Sequence, residues 1–167
     1  EAVHLWHADF DLVIGHSTTD STPLRLDVWL RDIAYRSSTT LGQHGCRIWS
    51  DQGRLTQDQR LEARLSELVR FLNTHRVLLV IDRFDPNLRS HGEANEVSHV
   101  CVNPDWSTAL ARLAQDLHPH MSRFLLTSQR VPRALTEHQN VLRVPVGTLE
   151  MPEWSLFART APNFRRL

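Results

Sequence analysis

The sequence predicts an α/β domain, a three-layer sandwich with a mainly parallel sheet, and two observations carry that expectation. The stretch Arg76–Asp85, RVLLVIDRFD, holds five consecutive apolar residues, Val77 to Ile81, that end on a single acid, Asp82. A short unbroken run rich in β-branched residues suits a strand buried on both faces, as in a parallel sheet with helices above and below. On either side of it, segments with helical spacing alternate with further short apolar runs, the order that builds a parallel sheet. At 167 residues the chain fits one domain with a sizeable core.

Taken in order, Val3–Phe10 mixes Val, Leu, Trp and Phe and reads as a first strand, followed by the polar loop HSTTDST. Pro23 after Thr22 marks a helix start, since proline suits the first helical position and threonine can cap it. Leu26, Trp29, Leu30 and Ile33 fall at i, i+3, i+4 and i+7, one face of a helix expected to end near Tyr35. RSSTTLGQHG is rich in helix breakers and reads as a connection. Thr56 and Gln59 have the spacing of a capping box, and Leu61, Leu65, Leu68 and Leu72 hold one helical face behind them.

Beyond Asp85, residues Pro86 to Asn103 show no period and are expected to form a long loop. Pro104 opens a helix with Trp106, Leu110, Leu113 and Leu117 on one face, stopped by His118-Pro119-His120. RFLLT, Arg123 to Thr127, reads as a second buried strand, followed by the turn Ser128-Gln129-Arg130. Val141–Val146 reads as a third strand whose ladder Pro145 limits, and Pro152 starts a last helix through Leu156 and Phe157.

Composition narrows the function classes. Hydrophobic residues at 41% and charged residues at 23% are those of an ordinary globular protein. The net charge of zero argues against a nucleic-acid binder that works through a strong positive field. No apolar run approaches the roughly 18 residues of a membrane span, and EAVHLWHADF lacks the basic start and apolar stretch of a signal peptide. Two cysteines, Cys46 and Cys101, are too few for a disulfide scaffold and fit a reducing cytoplasm. All 19 basic residues are arginine, so the phosphate-gripping lysine of a P-loop is not in this sequence.

Asp82 is the leading chemical candidate. The carboxyl end of a buried parallel strand is where open α/β sheets place their ligands, and an acid there can hold Mg²⁺ directly or through water. The competing reading is an aspartate that begins a turn. His118 and His120 flank a proline with no third ligand at metal-site spacing and read as surface residues. His91, Glu93, Glu96 and His99 lie in the aperiodic stretch without the H-E-x-x-H order and read as a polar loop. Cys101 near His99 is not a nucleophile on adjacency alone.

Together, RVLLVIDRFD, the helix from Trp106 to Leu117 and RFLLTSQRVP resemble the nucleotide-binding domain of STAND NTPases, the P-loop signalling ATPases that include NB-ARC proteins. VLRVPVGTLEMPEW resembles the strand and leucine-rich segment that lead to that family's lid. The resemblance implies that Asp82 is the Walker B acid, orienting Mg²⁺ through its water shell. It implies that Thr127 and Ser128 begin the sensor turn; the family arginine falls on Gln129, so Arg130 reaches a γ-phosphate only if the turn is shifted by one residue and otherwise reads as a solvated turn residue. Arg83 stands where the family often has Asp or Asn, and Asp85 where a further acid often occurs. None of the six glycines sits in a G-x-x-x-x-G-K-[ST] frame.

The resemblance further implies a chain that starts after the Walker A loop. Residues 1–146 would be a partial nucleotide-binding domain without its first strand, P-loop and first helix, and 147–167 the start of the helical lid. The family places that first strand between the sensor strand and the last strand. ATP or ADP with Mg²⁺ would be the cofactors of the intact protein, and ATP hydrolysis its reaction. Its partners would be flanking domains of the same polypeptide and further copies of itself. The alternative is a non-catalytic interaction or scaffold module on the same fold.

Overall fold

The computed structural model describes residues 9–18, 22–48, 55–91, 98–118, 120–136 and 138–146. Three parallel strands form the main sheet: β1 (Leu12–Ser17), β2 (Val77–Asp82) and β5 (Arg123–Leu126), in spatial order β1-β2-β5. The helices between them are α1 (Leu26–Leu41), α2 (Gln57–Thr74) and α3 (Pro104–Asp116). A separate antiparallel hairpin, β3 (Leu88–His91) with β4 (Ser98–Cys101), lies between β2 and α3 in sequence. The coarse expectation of an α/β domain on a mainly parallel sheet is met.

Register divides the sheet into two unlike faces. Leu12 pairs with Val77, Leu79 with Ile14 on one side and Phe124 on the other, and Ile81 with Leu126. These residues share one face, and all belong to the hydrophobic core or pack against it. Their alternates, Val13, Leu78, Val80 and Leu125, lie outside that cluster; Leu78 is nonetheless buried, while Leu125 is 40% exposed. Successive strands step in one direction, so right-handed crossovers carry all three helices over the same face. The described residues therefore supply two layers where three were expected.

The first strand differs from its expected position. Residues 1–8 lie outside the described part, and β1 begins at Leu12, with His16 and Ser17 inside it rather than in a loop. Two backbone bonds and one ion pair decide where it starts. The Asp11 N–H donates to the Arg76 carbonyl at 2.7 Å, and the Arg76 guanidinium lies 2.8 Å from the Asp11 carboxylate. The Arg76 N–H in turn donates to that carboxylate, so one residue pins the starts of β1 and β2 together.

Helix α1 starts at Leu26, not at Pro23, and runs to Leu41, six residues past Tyr35. The segment read as a breaker stays helical because its hydroxyls turn inward. Ser38 donates to the Ala34 carbonyl and Thr39 to the Tyr35 carbonyl, the back-bonding that makes Ser and Thr tolerable inside a helix. Gly42, with φ +57°, ends it in the left-handed region that glycine enters without strain. Gly45 serves differently: a Cβ there would sit 2.6 Å from the Ser38 backbone, so the return chain can approach α1 only without a side chain.

Helix α2 carries the expected capping box. Thr56 Oγ1 accepts from the Gln59 N–H and Gln59 Oε1 accepts from the Thr56 N–H. Asn103 caps α3 by accepting from the Asp105 N–H at 2.9 Å. Trp106 of α3 packs tilted against Trp29 of α1 at 5.1 Å and edge-to-face against Phe84 at 5.2 Å, while Trp29 meets Phe124 of β5 at 6.2 Å. Aromatic contacts thus link two helices, the β2 turn and the sheet, and Trp29, Trp106 and Phe84 are fully buried.

The long aperiodic stretch is not one loop, since it holds β3 and β4. Its side chains alternate in a ribbon too short for periodicity to register. Val141–Val146 forms no strand, and Leu142, Val144 and Val146 are 87%, 69% and 87% exposed. The outer edge of β5 has no paired strand among the described residues, and the 141–146 segment does not bond it. The helix expected from Pro152 lies outside the described residues. Among the described residues no helix is long and apolar enough to cross a membrane.

Candidate functional site at the carboxyl edge of the sheet

Parallel register alone brings Ser17, Asp82 and Thr127 together. Ser17 is the register partner of Asp82, and Thr127 continues β5 one residue past Leu126, the partner of Ile81. All three side chains leave the face opposite the helices, at the end of the strands. The Thr127 hydroxyl donates to Asp82 Oδ1 at 2.6 Å and the Ser17 hydroxyl donates to Oδ2 at 3.1 Å. Hydrogen bonds to an ionised carboxylate are the stronger kind, and here they orient it from both sides. Each oxygen keeps lone-pair capacity beyond the one bond described.

The chain then turns sharply under the acid. Arg83 has φ +61°, a left-handed conformation in a residue with a Cβ. Its N–H donates to Thr127 Oγ1 at 2.9 Å, while Thr18, itself buried, hydrogen-bonds the Arg83 carbonyl through its hydroxyl. The Phe84 N–H donates to the Thr127 carbonyl and the Thr127 N–H to the Ile81 carbonyl, both at 2.9 Å. Thr127 therefore uses backbone and side chain alike to tie the tips of β2 and β5.

A second carboxylate organises the turn after β5. Asp85 Oδ1 accepts from the Ser128 hydroxyl at 3.0 Å and from the Gln129 N–H at 2.9 Å. The Arg130 N–H donates to Ser128 Oγ at 3.2 Å, and Arg130 is exposed. Of the four residues singled out in the sequence, Asp82 and Thr127 are in contact. Ser128 turns toward Asp85 instead of Asp82, and Arg130 follows it by one backbone bond.

Asp82 is suited to an outer-sphere role toward Mg²⁺. It is partly exposed and flanked by two hydroxyls, and among the described residues no group of three or more His, Cys, Asp or Glu side chains gathers to hold a metal. Mg²⁺ keeps several waters and takes one or two carboxylates with substrate phosphates, a demand that Asp82 meets on the protein side. His91 and His99 do not join this site or each other. His91 pairs with Ser98 and His99 with Ser90, so the two imidazoles leave opposite faces of the hairpin; Glu93 and Glu96 lie outside the described residues.

Sequence reasoning missed Ser17 and Thr18, which it assigned to a loop, and Asn87, which it passed over. Asn87 is buried, donates to the Leu24 carbonyl at 2.7 Å and accepts from the Leu24 N–H at 3.0 Å. The Trp106 indole N–H donates to the same carbonyl at 2.7 Å. A parallel register drawn from Leu12 would have found Ser17; nothing local in Asp-Pro-Asn-Leu marks Asn87. No family model, curated protein or solved structure matches the chain.

Proposed function

We propose that this chain is part of a STAND-type NTPase module that binds ATP or ADP and acts as a nucleotide-dependent switch in a signalling or defence protein. The observation that carries the reading is Asp82 at the carboxyl tip of the central strand, its carboxylate held by Thr127 from the neighbouring strand tip. In this reading Asp82 orients Mg²⁺ and its water shell, Thr127 and Ser128 form the sensor turn, and Arg130 approaches the terminal phosphate. The phosphate cradle comes from a glycine-rich loop elsewhere in the parent polypeptide. That segment's strand would take the open edge of β5 and its helix the uncovered face around Val13, Val80 and Leu125, completing three layers. Exposed Leu142, Val144 and Val146 then gain a sheet to join.

Such a switch needs contacts that differ between nucleotide states, and the tips of β2 and β5 are where those contacts form. The test is calorimetry of ATP binding with Mg²⁺. The 167-residue chain is expected to bind ATP more weakly than micromolar, and a parent protein carrying a G-x-x-x-x-G-K-[ST] loop is expected to bind it and to lose Mg²⁺ dependence with Asp82→Asn. Micromolar binding by the 167 residues alone, or a parent indifferent to Asp82→Asn, overturns the reading.

The second reading is a non-catalytic interaction or scaffold module of the same fold. Arg83, which follows Asp82 where the family often has Asp or Asn, and Gln129, which stands at the place of the family arginine, favour it. Absence of a P-loop upstream in the parent decides for the scaffold.

A further inference from the structure

The β3–β4 hairpin and the segment after β5 build a second, smaller platform. Arg89 is the register partner of Val100 and His91 of Ser98, so these four side chains share one face of the hairpin. The opposite face carries Leu88 and Cys101, both in the core. Pro132 bridges His99 in parallel, which lays residues 131–133 along the side of β4 away from β3. Pro132 is buried while Val131 and Arg133 beside it are exposed, so these two turn to the outer face with Val100. The platform is held in place by its own bonds. The Ser98 hydroxyl donates to the His91 carbonyl at 3.1 Å and the Val102 N–H to the Asn87 carbonyl at 2.8 Å.

Its arginines differ from those of the helices. Arg36, Arg70, Arg76 and Arg112 each pair with a carboxylate of the chain. The side chains of Arg89 and Arg133 make no hydrogen bond or ion pair among the described residues. β3, β4 and residues 128–136 contain no Asp or Glu, and Glu93 and Glu96 lie outside the described residues. Of the flanking carboxylates, Asp85 accepts from Ser128 and Gln129, and Asp105 sits in the first turn of α3. Between the two arginines the face is apolar, with Val131 42% exposed and Val100 half-buried. Four residues at about 3.3 Å each and two strand spacings of about 4.8 Å make it roughly 13 Å by 10 Å. A lasting contact between folded domains takes about 800 Å² from each, so this face suits one short segment and not a second copy of the chain.

We infer that this face docks an acidic amphipathic helix of a partner protein, its carboxylates on Arg89 and Arg133 and its apolar side chains on Val100 and Val131. Charge complementarity sets the sign of the partner, since two unpaired guanidinium forks stand on a face without a described carboxylate. Strand spacing sets its form. Arg89 and Arg133 are two strands apart, about 10 Å, the separation of helical positions i and i+7. Apolar residues at i+3 and i+4 of that helix fall between them on the same side. A nucleic acid fits less well: the face offers no aromatic side chain for a base to stack on, and the net charge of the chain is zero. None of Asp82, Thr127, Ser128 or Arg130 takes part, so the docking does not depend on the nucleotide reading.

Fluorescence anisotropy with the purified chain tests the assignment. The probe is a labelled helical peptide of about 15 residues with Glu at i and i+7 and Leu at i+3 and i+4. Its controls are the same peptide with Lys for Glu, the same peptide with Gln for Leu, and oligothymidine. Saturable binding of the Glu–Leu peptide is expected, weaker with Gln for Leu and absent with Lys for Glu. Arg89→Gln with Arg133→Gln is expected to weaken it about tenfold, the effect of losing two exposed ion pairs. Arg89→Glu with Arg133→Glu is expected to transfer the preference to the Lys peptide, which a folding defect does not produce. Arg70→Gln, on α2, is expected to change nothing. Absence of saturation by the Glu–Leu peptide up to about 1 mM overturns the proposal. So do unaltered affinity in the Arg89 and Arg133 variants, an equal loss in Arg70→Gln, or oligothymidine binding tighter than the peptide.

Discussion

Thr127 and Asp82 lie 45 residues apart in sequence, yet the threonine hydroxyl donates to the aspartate at 2.6 Å and accepts from the N–H of the next residue, Arg83. One hydroxyl thereby fixes both the direction of the carboxylate and the turn beneath it. Thr127→Val keeps the shape and removes both bonds. A hydrogen bond to a charged group contributes roughly 1.5–3 kcal/mol when buried, and partial exposure here reduces that to about 1 kcal/mol. Urea denaturation should show a loss of that size for Thr127→Val and much less for Thr127→Ser. Equal losses in the two variants would mean that the methyl group, not the hydroxyl, ties the strands.

Arg83 makes a contrasting prediction, because its backbone stands at φ +61° where a Cβ is unfavourable. The left-handed conformation costs a residue with a side chain roughly 1–2 kcal/mol, which glycine escapes at an entropic cost of about 0.5–1 kcal/mol. Arg83→Gly is therefore expected to raise stability by up to about 1 kcal/mol, with Arg83→Ala near neutral. A clear destabilisation by glycine would show that the arginine side chain contributes contacts that offset its strain.

Elements whose cause is local were legible in the sequence. The Thr56–Gln59 box, the leucine face of α2, Pro104 at the start of α3 and the apolar run of β2 each carry their signal within a few residues. Asp82 could be placed at a strand tip on the same grounds. What escaped depended on partners distant in sequence. The end of α1 moved from Tyr35 to Leu41 because Ser38 and Thr39 bond their own helix, and periodicity does not report where a hydroxyl points. β1 shifted to Leu12 because Arg76, 65 residues away, holds Asp11. The strand expected at 141–146 is not formed although its apolar residues satisfy a strand pattern, because a strand exists only through its pairing and this segment pairs with no strand of the described sheet. The candidate site was half visible, since Asp82 and Thr127 sit on the two clearest strands while Ser17 lay in what read as a loop.

Asn87 ties the turn after β2 to the residues that lead into α1. It supplies one donor and one acceptor to the backbone of Leu24, and it is only 2% exposed. Asn87→Ala leaves the Leu24 N–H without that partner in a part-buried setting, at a cost of about 1–3 kcal/mol. Asn87→Asp keeps the acceptor and loses the donor. Chemical denaturation should rank the variants wild type above both, and amide exchange at Leu24 should accelerate in Asn87→Ala. Unchanged exchange at Leu24 would show that Trp106, which also bonds its carbonyl, suffices to hold the start of α1.

His16 makes stability depend on pH. It lies on the helix-facing side of β1, with Nε2 2.9 Å from the Asp32 carboxylate, which Arg36 also approaches at 2.6 Å. Burial lowers the His16 pKa below its ordinary value of 6.5; Asp32 opposes that shift and the Arg36 charge reinforces it. The folded state therefore prefers neutral imidazole, and the unfolded chain takes up a proton first as the pH falls. Above about pH 6.5 both states are neutral and the contribution is complete; below it, stability falls until the folded-state pKa is passed. Denaturation at pH 7.5 and pH 5.5 should show a larger loss on acidification for wild type than for His16→Gln, which cannot titrate. If wild type loses less than His16→Gln, the Asp32 carboxylate rather than burial governs this histidine and its folded-state pKa lies above the ordinary value; equal losses mean that the two effects cancel.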